Sequence, residues 1–167
     1  MLVENLKRLL QFLLLLALQV FLFNHIHIMG YATPLVYVAL LLYMPANENR
    51  ITTLVWAFIM GYCVDLFSIT PGMSAASLTL TAMLRNGLLS LMIPKDSLEN
   101  MVPTYKTMGA WNHLHFMTIL LLIHHLTYFV LESFSIFNLR DLCLMSGGSF
   151  VLSWIAIAMM ELLRGEK

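Results

Sequence analysis

Long apolar stretches alternate along the chain with short polar or Pro/Gly-containing breaks. A bilayer core about 30 Å thick requires about 20 residues of helix, so long apolar stretches are candidate membrane helices. The pattern predicts an all-α integral membrane protein in which six spans form one compact bundle over residues 1–167. The predicted spans are 9–28, 33–44, 51–69, 72–93, 115–133 and 142–163. A longer connection, residues 94–114, is expected to offer a surface outside the membrane.

The first two stretches are the least regular. The first follows Lys7 and Arg8 as in a signal peptide, but residues 24–27 supply no small-residue cleavage site, so we expect a retained helix. In the second, Thr33 is expected to cap a helix that has Pro34 at its first position. That leaves about eleven or twelve helical residues, about 18 Å, and predicts a tilted, kinked or re-entrant segment.

The basic residues favour six crossings with both termini in the cytoplasm. In that topology Arg140 is the one basic residue of the loops and termini that is placed outside. If the second stretch did not cross the membrane, five of the basic residues now placed in the cytoplasm would lie outside. The basic residues predicted to lie inside are Lys7, Arg8, Arg50, Lys95, Lys106, Arg164 and Lys167.

Composition supports a lipid environment and excludes several functions. Hydrophobic residues make up 60% of the chain and charged residues 11%, against about 25% charged residues in soluble domains. Nine basic and nine acidic residues give a formal net charge of zero, so no nucleic-acid surface is expected. Cys63 and Cys143 lie in apolar runs, which predicts buried small side chains and neither a disulfide nor a metal site. Phosphate-binding and dinucleotide motifs are missing, so no cofactor is expected.

Ionisable residues within the predicted spans are costly in lipid and are therefore candidate functional residues. Ala57, Gly61 and Asp65 share one helix face, which favours close helix packing with a carboxylate that accepts hydrogen bonds from a neighbour. An ion-coupled role for Asp65 is the alternative. Arg85 lies too far along the next span for a direct ion pair with Asp65. We expect it to extend towards the cytoplasmic headgroups, the alternative being a buried functional arginine.

Two adjacent histidines, His124 and His125, lie near the middle of the fifth stretch. Their side chains point about 100° apart on a helix and cannot chelate one ion together, so we expect hydrogen bonds across helices and no metal. Glu132 lies two turns beyond His125. The two could form a polar track, but the end of the span is reached by water, so an interfacial residue is the simpler interpretation.

The serines give no indication of catalysis. Ser149 and Ser153 predict small-residue packing in the last helix, and no serine lies in a nucleophile elbow or beside an obvious base. We therefore do not expect an enzyme.

The polar segments follow a distinctive order. Residues 61–68 read Gly-Tyr-Cys-Val-Asp-Leu-Phe-Ser and precede Thr-Pro-Gly-Met at 70–73, so Pro71 and Gly72 form a turn after Asp65. In this order the segments resemble the MreD family of rod shape-determining proteins, small bacterial inner-membrane proteins, over nearly the whole chain. The other segments are Asn24-His25, Gly-Tyr-Ala-Thr-Pro-Leu-Val-Tyr at 30–37, Leu-Tyr-Met-Pro at 42–45, Arg85, Pro-Lys-Asp at 94–96, His124-His125 and Leu131-Glu132.

The resemblance implies a fold similar to the substrate-binding subunits of energy-coupling-factor vitamin transporters. It also implies a non-catalytic scaffold of the cell-elongation complex, which helps to maintain cell shape by organising lateral peptidoglycan synthesis. The implied direct partner is MreC, and the wider partners are MreB, RodA and a class B penicillin-binding protein. Under this hypothesis the Gly61–Asp65 face organises the bundle or docks the single span of MreC. The connection 94–114, with Lys95, Lys106 and Trp111, then offers a cytoplasmic contact surface.

The alternative function is a small-molecule, vitamin-type binding subunit of a membrane transporter. Such a subunit would require a polar and aromatic pocket on the outer side of the bundle. The residues predicted to approach that side are Tyr31, Tyr37, Asp65, Tyr128 and Glu132.

Overall fold

The computed structural model describes residues 2–25, 32–93, 101–133 and 139–165. Within these ranges the regular elements are helical and no β-strand is formed, in agreement with the predicted all-α class. Tyr31, Lys95 and Lys167 lie outside the described residues. The helices are α1 (Leu2–Ala17), α2 (Ala39–Tyr43), α3 (Arg50–Ser68), α4 (Met73–Met92), α5 (Tyr105–Met108), α6 (Ala110–Ser133) and α7 (Leu139–Gly165).

The first helix begins before the predicted stretch and changes type at its end. After α1, the π-helical residues Leu18–Leu22 are followed by one 3-10 turn, Phe23–His25. The π-helical stretch contains Gln19, whose side chain is completely buried. The change of helix type therefore coincides with a polar side chain that is directed into the bundle.

Residues 32–44, which we call the central segment, form the middle of the bundle and are only partly helical. Residues 33–35 lack regular structure, Val36–Val38 form a 3-10 turn, and α2 adds five further residues. From Leu35 to Leu42 no residue is more than 6% exposed, because α1, α3 and α7 pack around this part of the chain. At 1.5–2 Å of rise per residue, its helical part is shorter than about 16 Å.

The predicted start of this helix is wrong. Thr33 does not cap it and Pro34 is not its first residue, because the 3-10 turn begins at Val36 and its preceding residue, Leu35, provides no side-chain cap. The physical reason lies in the tertiary structure: the N–H groups of Val36 and Tyr37, at the start of the turn, donate to Gln19 of another element.

Helices α3 and α4 form a closely packed hairpin whose bounds lie within one residue of the predicted stretches. Cys63, which we expected to be buried, is partly exposed because it lies between the outer and inner faces of α3. The side chain of Cys143 is outside the described part of the chain.

The predicted connection 94–114 is shorter than expected. Thr104 and Thr107 form a capping box that starts α5, Gly109 ends it with a φ of +80°, and α6 begins at the next residue, Ala110. The last part of the predicted connection is therefore helical. Lys106 and Trp111, which we expected on a contact surface, are both exposed.

Three helical segments are long and apolar enough to cross a membrane: Arg50–Ser68, Ala110–Glu132 and Leu144–Arg164. Large apolar side chains such as Phe58, Leu126 and Val151 lie exposed on their outer faces. Soluble monomers rarely expose contiguous apolar surface of this extent. These segments therefore indicate a membrane protein.

Candidate functional site

Asp65 of α3 caps the N-terminus of α4. One carboxylate oxygen, Oδ1, accepts hydrogen bonds from the Ser74 N–H and the Thr70 hydroxyl, both at 2.9 Å. The other oxygen, Oδ2, accepts a hydrogen bond from the Ala75 N–H, also at 2.9 Å. The first N–H groups of a helix lack intrahelical partners and favour a negative charge nearby. Gly72 at the N-cap position has no side chain to supply one, so the preceding helix does.

Gly61, one turn before Asp65, is the point of closest approach between the two helices. A methyl group added to Gly61 would lie 2.5 Å from the Ala75 Cα and 2.5 Å from the Ser74 carbonyl oxygen. Both atoms belong to the backbone and cannot move aside as a flexible side chain can. The prediction of a close-packed face with a hydrogen-bonded carboxylate is therefore confirmed in its geometry.

The turn between the two helices has two residues of positive φ. Ile69 ends α3 at a φ of 56° and is 90% exposed, and Gly72 precedes α4 at a φ of 81°. Glycine adopts this conformation without steric cost, whereas a β-branched residue does not. Pro71 lies exposed between them.

Gln19 bonds the central segment on both sides of its structural break. Its Oε1 accepts a hydrogen bond of 2.7 Å from the Val36 N–H, and its Nε2 donates to the Pro34 carbonyl at 3.1 Å. The Nε2 also donates to Asn24 Oδ1 at 2.9 Å. Our sequence analysis missed this residue; a glutamine in a run of apolar residues was the available signal.

Two serines of α7 also accept hydrogen bonds from the backbone of the central segment. Ser149 Oγ accepts a hydrogen bond of 3.1 Å from the Thr33 N–H, and Ser153 Oγ accepts one of 2.7 Å from the Leu35 N–H. These serines therefore do more than the close packing predicted for them, because they also bond the backbone of the central segment. An irregular backbone leaves donors unpaired, and small hydroxyl side chains reach them without separating the helices.

His125 lies beside one of these serines, which corrects the prediction that no serine neighbours a base. Its Nε2 is 3.0 Å from Ser153 Oγ, and its Nδ1 is 2.9 Å from the Leu121 carbonyl oxygen. Because a carbonyl oxygen only accepts, Nδ1 carries a proton, and in neutral His125 the Nε2 is an acceptor. The Ser153 hydroxyl has a single proton, for which this nitrogen competes with the Ser149 carbonyl oxygen at 2.7 Å. Ser153 is completely buried, so this pair supports the central segment and does not face open space.

His124 contacts the central segment through Tyr37. Its Nε2 is 2.9 Å from the Tyr37 hydroxyl, the two rings meet edge to face, and both side chains are completely buried. The second ring nitrogen, Nδ1, is buried with no hydrogen-bond partner in the described part of the chain. Both adjacent histidines thus bond across helices, as predicted, in two different directions.

Arg85 does not extend towards the membrane surface as we expected. It is completely buried and donates to three backbone carbonyls at the end of the central segment: Leu41 through Nε at 2.6 Å, Met44 through Nη2 at 2.5 Å, and Pro45 through both terminal nitrogens at 3.3 Å. The reason is that α2 ends inside the bundle, where water cannot satisfy its last carbonyls. A guanidinium supplies five donors in a fixed fork.

A second polar cluster lies between α6, α7 and the end of α2. Glu161 lies 3.4 Å from His113 and 3.6 Å from Arg164, whose guanidinium is 4.3 Å from the centre of the Tyr43 ring. Nearby on the chain, Glu48 pairs with Arg8. The sequence did not predict this cluster, because His113 and Tyr43 lie far along the chain from Glu161 and Arg164. The described residues contain no group of three potential metal ligands.

A cavity of about 490 Å³ lies beside the α3–α4 turn. Glu132, expected at an interface reached by water, is only partly exposed and lines this cavity, and its Oε2 is buried with no described hydrogen-bond partner. Tyr128 also lines it, whereas Tyr37 and Asp65 do not. The polar lining consists of Asn24, Thr33, Ser68, Thr70, Ser74, Tyr128, Glu132 and Ser149.

The chain was compared with protein-family models, curated proteins and solved structures, and none of them matched. A family for this chain is therefore proposed from its ordered polar residues.

Proposed function

We propose that this protein is a non-catalytic scaffold of the MreD family in the bacterial inner membrane, which helps to maintain cell shape by organising lateral peptidoglycan synthesis with MreC. One observation carries the proposal. The residues of the most specific resembling segment, Gly61, Asp65, Pro71 and Gly72, meet in a single structural joint between α3 and α4. A scaffold requires a fixed arrangement of its helices, and these four residues hold α3 and α4 together at the joint.

The proposed topology has six crossings and cytoplasmic termini, in a bundle similar to the substrate-binding subunits of energy-coupling-factor transporters. The central segment is the second crossing. Irregular backbone is tolerated at membrane depth only where protein covers it, and the near-complete burial of this segment meets that condition. The remaining crossings are α1 with its π-helical extension, α3, α4, α6 and α7.

The outer face of α3 is the proposed contact for the single span of MreC. Its exposed residues Val55, Phe58, Tyr62 and Leu66 recur at intervals of three or four, which places them along one side of the helix. On the proposed cytoplasmic side, the exposed residues Lys106 and Trp111 form a surface for the other complex members, MreB, RodA or the class B penicillin-binding protein.

The first experiment is a tagged pull-down in mild detergent, with mass spectrometry of the proteins that co-purify. We expect MreC and the elongation synthases. Recovery of ATP-binding transporter subunits in their place would contradict the scaffold and support the alternative function.

A variant experiment then tests the α3–α4 joint. We expect Asp65→Ala to reduce the MreC recovered per tagged molecule and to disturb cell shape, because the first turn of α4 loses two hydrogen bonds and Thr70 loses a third. The matched control is Ala76→Ser, a small change on the exposed side of the same turn. Normal cell shape and unchanged MreC recovery with Asp65→Ala, at wild-type protein levels, would remove the joint from the proposal.

The alternative, a vitamin-type binding subunit, is supported by the cavity beside the α3–α4 turn. Its volume lies in the range of about 300–1,000 Å³ that small-molecule sites occupy. Binding of a vitamin would raise the melting temperature in detergent by mass action. A flat response across a vitamin panel would count against this function.

A further inference from the structure

The cavity beside the α3–α4 turn is lined by an acidic residue, Glu132. Among the described residues that line it, the other ionisable group is the hydroxyl of Tyr128. The Oε2 of Glu132 is buried and has no hydrogen-bond partner among the described residues. Removing a carboxylate from water is costly unless a cation or several hydrogen-bond donors compensate for it. The described residues that line the cavity include no lysine, arginine or histidine to do so.

Aromatic rings line the same cavity as this carboxylate. Tyr128 lies one helical turn before Glu132 on α6, Phe129 is its neighbour, and Phe67 contributes from α3. The faces of aromatic rings attract cations, and the attraction increases when water is excluded. A carboxylate together with aromatic faces is therefore suited to an organic ammonium group.

Part of the polar lining is already used within the protein. Thr70 donates to Asp65, Ser149 accepts from the Thr33 N–H, and Ser68 accepts from Asn24. Accepting leaves the hydroxyl proton of Ser68 available to a ligand. The Tyr128 hydroxyl interacts with the Thr70 side chain, whereas the Oε2 of Glu132 has no partner among the described residues. Among the described lining groups, free capacity is thus found at Glu132 on α6 and at the Ser68 hydroxyl on α3.

We propose that this cavity binds an organic ammonium group, with Glu132 as its counter-ion and Tyr128 and Phe67 as aromatic walls. The group belongs either to a free amine or to the headgroup of phosphatidylethanolamine, since both present the same primary ammonium. The lining shares Phe67, Thr70 and Ser74 with the region of the α3–α4 joint. The counter-ion, Glu132, belongs to α6 and takes no part in the joint, so variants of Glu132 test the site separately from the scaffold role.

The first test compares two probes on the wild-type protein in detergent by isothermal titration calorimetry. The probes are 2-phenylethylamine, which is cationic at neutral pH, and 2-phenylethanol, a neutral molecule of nearly the same size. We expect the amine to bind at least tenfold more tightly. Equal affinities, or no heat from either probe, would overturn the proposal, and this comparison depends on no variant.

The second test assigns the charge to its residue. We expect Glu132→Gln to weaken amine binding at least tenfold while leaving the melting temperature within a few degrees of wild type. Glu161→Gln is the matched control, because Glu161 is a buried acid in the separate cluster with His113 and Arg164, and it should retain amine binding. Unchanged affinity in Glu132→Gln, or equal losses in both variants, would overturn the assignment.

The third test identifies the source of the ammonium group. The titration with 2-phenylethylamine is repeated in nanodiscs of phosphatidylglycerol alone and of phosphatidylglycerol with phosphatidylethanolamine. Weaker amine binding in the mixed nanodiscs supports the proposal with a lipid headgroup as occupant. Equal binding in both supports it with a free amine, and absence of binding in both contradicts it.

Discussion

At the scale of single residues, the α3–α4 joint depends on two glycines, which have no side chain, and on one aspartate, which provides a helix cap. Gly61 lacks a side chain where the next helix begins, and Gly72 lacks one where a cap is needed. Asp65 supplies the cap across the turn. The three requirements are coupled, because the carboxylate reaches the α4 N–H groups only while Gly61 keeps the helices close.

The contact at Gly61 can be tested with alanine. We expect Gly61→Ala to lower the free energy of unfolding by about 1–3 kcal/mol, since the added methyl group meets backbone atoms and the helices must separate. Gly87→Ala in α4 is the control. Its methyl group meets nothing within 4 Å, so the better helix propensity of alanine should stabilise by about 0.5–1 kcal/mol. Thermal unfolding in detergent gives both values, and equal shifts in the two variants would contradict the close contact.

The conformation of Ile69 predicts a stabilising substitution. Residues other than glycine pay roughly 1–2 kcal/mol in the left-handed region, and asparagine tolerates it better than a β-branched residue. Because Ile69 is 90% exposed, replacing it removes little packing. We therefore expect Ile69→Asn to raise the free energy of unfolding by about 1 kcal/mol.

The control for Ile69 is the same change at Ile51, which is 69% exposed in the first turn of α3. There the backbone is helical, so Ile51→Asn should be neutral or slightly destabilising. The melting temperatures of the two variants, measured under the same conditions, test this prediction. A lower melting temperature of Ile69→Asn would show that the isoleucine side chain stabilises the protein by more than its backbone conformation destabilises it.

At the scale of elements, the central segment depends on its neighbours for its polar contacts. Its N–H groups are bonded by Gln19, Ser149 and Ser153, and its last carbonyls by Arg85. An ordinary helix satisfies its backbone internally except at its ends, but this segment is so short that it is mostly ends. The buried polar side chains of the surrounding helices therefore complete a secondary structure that the segment cannot complete alone.

Arg85 should tolerate no substitution by the other long basic residue. Arg85→Lys keeps the charge but replaces a planar fork by a single ammonium group that cannot reach Leu41, Met44 and Pro45 together. We expect a loss of about 1.5–3 kcal/mol, because buried carbonyls lose a charged donor. Arg50→Lys, at an exposed position in α3, should leave the melting temperature unchanged. Tolerance of lysine at position 85 would mean that the guanidinium fork is not required.

The sequence predicts well those helices whose bounds follow from the length of an apolar stretch, such as α3 and α4. The sequence predicted where the central segment lies but not where its helical part begins, because Gln19, from another part of the chain, determines that start. Arg85 was misplaced for the same reason: sequence shows a basic residue near a span end and not the carbonyls that it meets. Asp65 was predicted more closely, since its partners follow within ten residues.

At the scale of the whole molecule, an apolar outer surface surrounds a bundle whose buried polar side chains bond to the backbone and to one another, with exceptions such as His124 Nδ1 and Glu132 Oε2. The exposed apolar residues lie on α1, α3, α4, α6 and α7, whereas the central segment is enclosed. The surface is therefore apolar, unlike that of a soluble protein, whereas most polar groups in the interior are hydrogen-bonded as in soluble proteins. The orientation of the bundle in the membrane is then the property to test.

The proposed topology predicts which positions a reagent can reach. In a background with Cys63→Ser and Cys143→Ser, we expect Pro71→Cys to react with a membrane-impermeant maleimide in intact cells. Lys106→Cys should react only after the cells are permeabilised. Both side chains are exposed, so burial does not explain a difference in labelling. Labelling of both positions in intact cells, or the reverse pattern, would contradict six crossings with cytoplasmic termini.

The hydrogen bonds between α7 and the central segment also determine when the protein can mature. Ser149 and Ser153 lie more than a hundred residues after the N–H groups that they bond. Until the last helix has been synthesised, those donors have no partners in the bundle, and the centre of the protein remains incomplete. The part of the chain that precedes α7 therefore lacks the partners of these N–H groups, and the core is complete only when the last helix has packed against the central segment.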